Sequence, residues 1–154
     1  LGEIILRGPK VFKGYWKNEE ATAEVIKDGW FYTGDIGYLD EEGYLYIEDR
    51  KKDMIISGGE NVSSAEVERV VYELSQVSEV AVIGIPHPRW QEVPKAFVVL
   101  KEGQKLSEQE IVEHCTKKLA KFKVPKEVEF ISELPKNPSG KVLKRELRKR
   151  TTGS

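Results

Sequence analysis

Two capping boxes lie downstream of residue 52, and together they call for a sheet with helices packed on it. In Ser63-Ser64-Ala65-Glu66 the Ser63 hydroxyl can accept from the third helical amide while Glu66 reaches back to the cap. Behind it, Val67, Val70, Val71 and Leu74 recur at i, i+3, i+4 and i+7, which places them on one helical face. Ser107-Glu108-Gln109-Glu110 opens a second helix, with Ile111, Val112, Cys115, Leu119 and Phe122 on its inner side. Between and after these helices run the apolar stretches Met54-Ile55-Ile56, Val77 to Ile85, Ala96 to Leu100 and Val128 to Ile131, which read as strands. A last helix starts at Leu143. Strands alternating with helices predict an α+β fold, a small sheet packed by helices.

The first fifty residues have a different texture. A strand is expected over Glu3-Ile4-Ile5-Leu6. Asn18 is a fit N-cap for a helix from Glu19 to Ile26, stopped by Asp28-Gly29. Trp30 to Leu39 and Tyr44 to Glu48 read as strands around the turn Asp40-Glu41-Glu42-Gly43. So short a β-rich stretch cannot bury a core of its own. The boundary is therefore placed at Lys51-Lys52: residues 1–51 as the end of a larger domain, 52–150 as a small C-terminal domain, and 151–154 as a disordered tail. A start at Leu1, directly in a strand, reads as a fragment of a longer polypeptide.

A formal charge of −1, with both signs interspersed, argues against a surface built wholly for nucleic acid. The single cysteine, Cys115, cannot form an internal disulfide. No apolar run approaches membrane-spanning length, so no transmembrane segment is expected and the composition suits a cytoplasmic protein. His87 lies in a Pro86-His87-Pro88 turn and His114 beside Cys115 on a helix. Neither has metal-ligand spacing, so no metal site is expected within the chain.

Four segments carry candidate chemistry. Asp35, after Thr33-Gly34, could accept from both hydroxyls of a ribose, although Asp beside Gly also makes a plain tight turn. Arg50, Lys51, Lys52 and Asp53 form a charged knot between apolar strands, either a solvated turn or a nucleotide contact from Arg50. Gly58-Gly59-Glu60 is either a bend or a place where a thin ligand passes close to backbone. Pro135-Lys136-Asn137-Pro138-Ser139-Gly140-Lys141 is a turn stiffened by two prolines that aims Lys141, a compact charge suited to a carboxylate or phosphate. It is not a phosphate-binding P-loop, because Pro135 and Val142 stand where that motif needs Gly and Ser or Thr. Seven basic residues against one acid between Lys136 and Arg150 raise nucleic-acid binding as a rival, weakened by the lack of interleaved aromatics.

Taken in order, Gly14-Tyr15-Trp16, Trp30-Phe31-Tyr32-Thr33-Gly34-Asp35, Asp49 to Glu68 and Leu134 to Leu147 resemble the closing motifs of AMP-forming acyl-CoA synthetases, of the adenylate-forming superfamily. The flavour around Gly58-Gly59-Glu60-Asn61-Val62 and the Lys141 turn is similar to fatty-acid–CoA ligases. The resemblance implies a two-step reaction: a carboxylic acid and ATP give an acyl-adenylate, and coenzyme A then displaces AMP to give a thioester. It implies Lys141 as the catalytic lysine, Asp35 and Arg50 at the nucleotide, Lys52 as the hinge of a mobile lid domain, and Gly58, Gly59 and Glu60 along the coenzyme A route. Mg²⁺ is implied through ATP, and the upstream N-terminal domain as partner. Ser64 and Gln91 depart from the pattern, standing where many members carry proline and glycine. The family's phosphate loop and acyl pocket lie upstream, so the isolated chain is expected to be inactive. Two alternatives stay open: a stand-alone nucleotide- or coenzyme A-binding module, and an aryl-acid ligase or peptide-synthetase adenylation fragment.

Overall fold

The computed structural model describes residues 1–152, which separate into two compact units, Leu1–Lys52 and the chain from Asp53 onward.

The first unit is an antiparallel sheet with one short helix. Its elements are β1 (Gly2–Leu6), α1 (Glu19–Val25), β2 (Ile26–Lys27), β3 (Trp30–Leu39) and β4 (Leu45–Arg50). The long strand β3 pairs with each of the other three. Asn18 caps α1, its side chain accepting from the Ala21 amide. The Asp40 carboxylate accepts from the Glu42 and Tyr44 amides at 3.0 and 2.8 Å, which folds the β3–β4 turn. Strand β4 runs two residues beyond the expected Glu48, and this places Arg50 directly across from Asp35.

The second unit holds β5 (Ile55–Ser57), β6 (Glu60–Val62), α2 (Ser64–Tyr72), β7 (Val77–His87), β8 (Gln91–Leu100), α3 (Glu108–Lys118), β9 (Glu127–Phe130) and α4 (Lys144–Thr152). The sheet order is β6-β5-β8-β7, with β9 added in parallel to β8. Strands β7 and β8 form one long hairpin, from Val77↔Leu100 to His87↔Gln91. The sequence shows only its apolar ends as strand, because Pro86 and Pro94 interrupt the pattern; both prolines nonetheless lie within the strands. His87 closes the connecting loop: its Nδ1 accepts from the Arg89 and Trp90 amides, both at 3.2 Å.

Alternation along the hairpin makes two apolar faces. Val80, Val82, Ala96 and Val98 join Val67, Val70 and Val71 of α2 and Ile111 and Cys115 of α3 in one cluster. Ala81, Ile83, Ile85, Val93 and Phe97 join Leu134 and Leu147 in the other, so α4 covers the opposite face. The Cys115 thiol is pushed up to about 11 by its burial and, less, by the charge of Glu73. Ser107 and Glu110 make the expected reciprocal box, whereas at α2 Ser63 accepts from the Glu66 amide and the Glu66 carboxylate takes Lys123 Nζ at 2.7 and 2.9 Å.

The end of the chain corrects one expectation. Thr151 and Thr152 belong to α4 rather than to a loose tail, and the Thr151 hydroxyl donates to the Arg148 carbonyl at 2.8 Å. Gly153 and Ser154, the rest of that expected tail, lie outside the described residues.

Candidate functional site

In the first unit, Asp35 and Arg50 are cross-strand partners, and Arg50 Nε lies 3.1 Å from Asp35 Oδ1. The turn before Asp35 is held from several sides. The Thr33 hydroxyl donates to the Ile4 carbonyl at 2.8 Å and accepts from the Asp35 amide at 3.1 Å. The Gly34 amide donates to Glu3 Oε1 at 3.2 Å, while Lys51 Nζ donates to Glu3 Oε2 at 2.8 Å. The Lys51 bond, and with it the lysine's charge and the Gly34 amide, holds the Glu3 carboxyl below its ordinary range against the opposing pull of burial. Glu3 thus braces both Gly34 and Lys51, a role that nothing in its local sequence signals. The pairing appears only once β1 is laid against β3.

Lys52 is exposed and is the last residue of the first unit. Asp53 opens the second unit; it is buried and receives Arg148 Nη2 at 2.9 Å.

Gly58 and Gly59 form the two-residue turn of the β5–β6 hairpin, with φ of +62° and +88°. A two-residue hairpin turn with both central φ positive favours glycine at both positions, so the fold itself gives a reason for the pair. The two differ in their surroundings. The Gly58 amide donates to the Trp90 carbonyl at 2.8 Å, and a Cβ on Gly58 would meet Trp90 Cε3 at 3.0 Å, whereas one on Gly59 would meet open space. Glu60 is exposed and pairs with Ser57.

The turn that carries Lys141 links β9 to α4. Residues Asn137-Pro138-Ser139-Gly140 have the order a type I turn prefers: Asn first, Pro second, Gly fourth. The Gly140 amide donates to the Asn137 carbonyl at 2.9 Å, and Gly140 has φ +82°. A Lys136↔Val142 bridge and the Leu143 amide on the Pro135 carbonyl at 2.8 Å close its base. Of the seven basic residues from Lys136 to Arg150, six have a carboxylate partner: Lys136 on Glu79, Lys144 on Glu68, Arg145 and Lys149 on Glu146, Arg148 on Asp53 and Arg150 on Glu129. Lys141 alone among the seven has no ion pair among the described residues, and it is exposed. The basic excess is therefore largely neutralised in place, which weakens the nucleic-acid rival.

The positions that depart from the family pattern also have local explanations. Ser64 is fully buried and its Oγ accepts from Lys144 Nζ at 2.7 Å, a bond proline could not make. Gln91 adopts φ +67°, the left-handed region in which glycine is at ease.

Residues 66–141 match the family model of the AMP-binding enzyme C-terminal domain. The second unit belongs to that family. Over 148 residues the whole chain is 52% identical to a 2-succinylbenzoate–CoA ligase of Geobacillus kaustophilus, covering 96% of this chain but 30% of the relative. Among solved structures, an o-succinylbenzoate CoA synthetase of Bacillus subtilis, in complex with its acyl-adenylate intermediate, matches with a TM-score of 0.89 at 43% identity, over 96% of this chain and 30% of that one. A Mycobacterium tuberculosis fatty acyl CoA synthetase matches with a TM-score of 0.71 at 51% identity, over 99% of this chain and 30% of that one. The chain bearing this AMP-binding C-terminal domain thus spans about 30% of the length of such relatives. The α+β architecture of the second unit is the one expected from its sequence. No helix of the described residues is long and apolar enough to cross a membrane.

Proposed function

We propose that this chain is the closing portion of an AMP-forming acid–CoA ligase, and that Lys141 is its adenylation lysine. The single observation that carries this reading is that the Lys141 ammonium, on a stiffened turn, has no ion pair among the described residues, within a basic segment where every other cation has a carboxylate. A fixed cation without a protein counter-ion suits charge that builds up during reaction. In this reading Lys141 balances negative charge on the acid's carboxylate and the α-phosphate of ATP as the acyl-adenylate forms and pyrophosphate leaves.

Asp35 accepts from the ribose hydroxyls, and Arg50, already beside it, orients the carboxylate. Lys52 is the hinge. Gly58, Gly59 and Glu60 lie along the coenzyme A route, for which the open side of Gly59 leaves room. Among the described residues no group of three or more His, Cys, Asp or Glu could hold a metal ion. Mg²⁺ accompanies ATP in this reading, and no residue here is assigned to it. The partner is an upstream N-terminal domain. The first unit supports this, since it leaves Trp16 87% exposed along with Leu39, Ile47 and Tyr46, apolar side chains that a covering domain would bury. The isolated chain is accordingly inactive, and the location is cytoplasmic.

The acid substrate is a fatty acid, supported by the 51% identity to the fatty acyl CoA synthetase. A second reading, an aryl acid, is favoured by the 52% identity to the 2-succinylbenzoate ligase. The test uses the full-length polypeptide that carries this chain. Lys141→Ala should abolish ATP–pyrophosphate exchange in the presence of acid, yet leave thioester formation from a preformed adenylate within a few-fold. Unchanged exchange would overturn the assignment. Exchange assayed with a fatty-acid and an aryl-acid panel decides between the two acids.

A further inference from the structure

The side-chain carbonyl of Asn137 is the hub of the Lys141 turn. Its Oδ1 accepts from three donors: the Ser139 amide at 3.1 Å, the Ser139 hydroxyl at 2.8 Å and the Lys141 amide at 2.8 Å. Its backbone adds two more bonds, the amide donating to the Lys141 carbonyl and the carbonyl accepting from the Gly140 amide, both at 2.9 Å. The division of labour follows from the turn. In an ordinary antiparallel pair the Asn137 carbonyl would take the Lys141 amide. Here the left-handed Gly140 intervenes and takes that carbonyl, as a glycine bulge does. The Lys141 amide is then left to the Asn137 side chain, which supplies the acceptor its own main chain has given up.

We propose that Asn137 is a positioning residue for Lys141, fixing the backbone from which the reactive ammonium projects. This rests on Lys141 being the adenylation lysine. Ser139, pinned twice to the same oxygen, cannot stiffen the Lys141 end by itself, because its bonds stop two residues short. Pro135 and Pro138 restrict their own φ and the residue before each, and neither reaches Lys141. Among the described residues the Lys141 amide donates to Asn137 Oδ1 alone. A displacement of about 1 Å at a catalytic group can cost roughly a hundredfold in rate. Losing this bond should therefore act on the rate of adenylation more than on substrate affinity.

The test compares Asn137→Ala, Asn137→Asp and Lys141→Ala in the full-length polypeptide. Asn137→Ala should lower the adenylation kcat by about ten- to a hundredfold, with KM for ATP and acid within about twofold and an unchanged thermal unfolding midpoint. Asn137→Asp keeps the acceptor oxygen and should recover most of the rate, a rescue that a role of the side-chain NH2 group would not give. Thioester formation from a preformed adenylate should stay near the parent value in Asn137→Ala. An adenylation kcat within twofold of the parent, with Lys141→Ala inactive, would overturn the role of Asn137 alone. A loss of rate that Asn137→Asp does not rescue, or one that follows a lowered midpoint, would also overturn it. An active Lys141→Ala would overturn the reading of Lys141 and this inference with it.

Discussion

Arg148 Nη2 donates to Asp53 Oδ1 at 2.9 Å and so joins the last helix of the second unit to that unit's first residue. Ninety-five residues separate the partners, and the Asp53 side chain is only 12% exposed. Hydrogen bonds to a charged, largely buried acceptor are worth about 2 kcal/mol. Asp53→Ala and Arg148→Ala should each destabilise the protein by about that much in urea unfolding. The double mutant should lose about 1–2 kcal/mol less than the sum of the two. Strict additivity would show that the pair contributes nothing of its own.

The two glycines of the β5–β6 turn should respond unequally to alanine. Both would suffer the left-handed backbone, at about 1 kcal/mol each. Gly58→Ala would in addition push its Cβ against the Trp90 ring, so its loss should be nearer 2 kcal/mol. Equal losses in thermal or urea unfolding would mean that Trp90 gives way freely.

Gln91 offers the converse experiment. It holds φ +67° at the end of the β7–β8 loop with an exposed side chain. Glycine there should stabilise the protein by about 0.5–1 kcal/mol, as relief of strain outweighs the added freedom of the unfolded chain. A drop in the unfolding midpoint would show that the Gln91 side chain has a compensating contact.

Glu3 gives the pH dependence of the first unit. Its folded carboxyl titrates below the ordinary 4.5, chiefly through the bond from Lys51. The stabilisation is therefore complete above about pH 4.5 and fades as pH falls through the lowered folded value. A carbon-detected NMR titration should find the Glu3 midpoint below that of an unstructured glutamate, and Lys51→Ala should raise it. A Glu3 midpoint indifferent to Lys51 would remove the brace from the account.

Much of this architecture is legible in the residue order, and the parts that are not share a cause. The caps at Asn18, Ser63 and Ser107, the α2 stripe and the full length of β3 follow from local rules of spacing and hydrogen bonding. The ends of β7 and β8 do not, since Pro86 and Pro94 look like breaks until the hairpin is seen to accept them. The Lys141 turn is visible in sequence as a stiff loop, and its Asn-Pro-Ser-Gly order is the signal that points to Asn137. Glu3 and the Arg148–Asp53 pair depend on residues brought together from 31 to 95 positions away, and no local pattern encodes such a meeting.

The cover that α4 provides has a consequence for biosynthesis. Leu147 is buried on the Phe97 face of the sheet, behind the turn that bears Lys141. A nascent chain that has emerged only as far as Lys141 still lacks this plug, and the face formed by Ile83, Ile85 and Phe97 stays wet and adhesive. Product truncated just after Lys141 would therefore hold the complete Asn137–Lys141 turn but be poorly soluble, a natural substrate for chaperones and proteases. Quality control can remove such an unfinished chain by its stickiness alone.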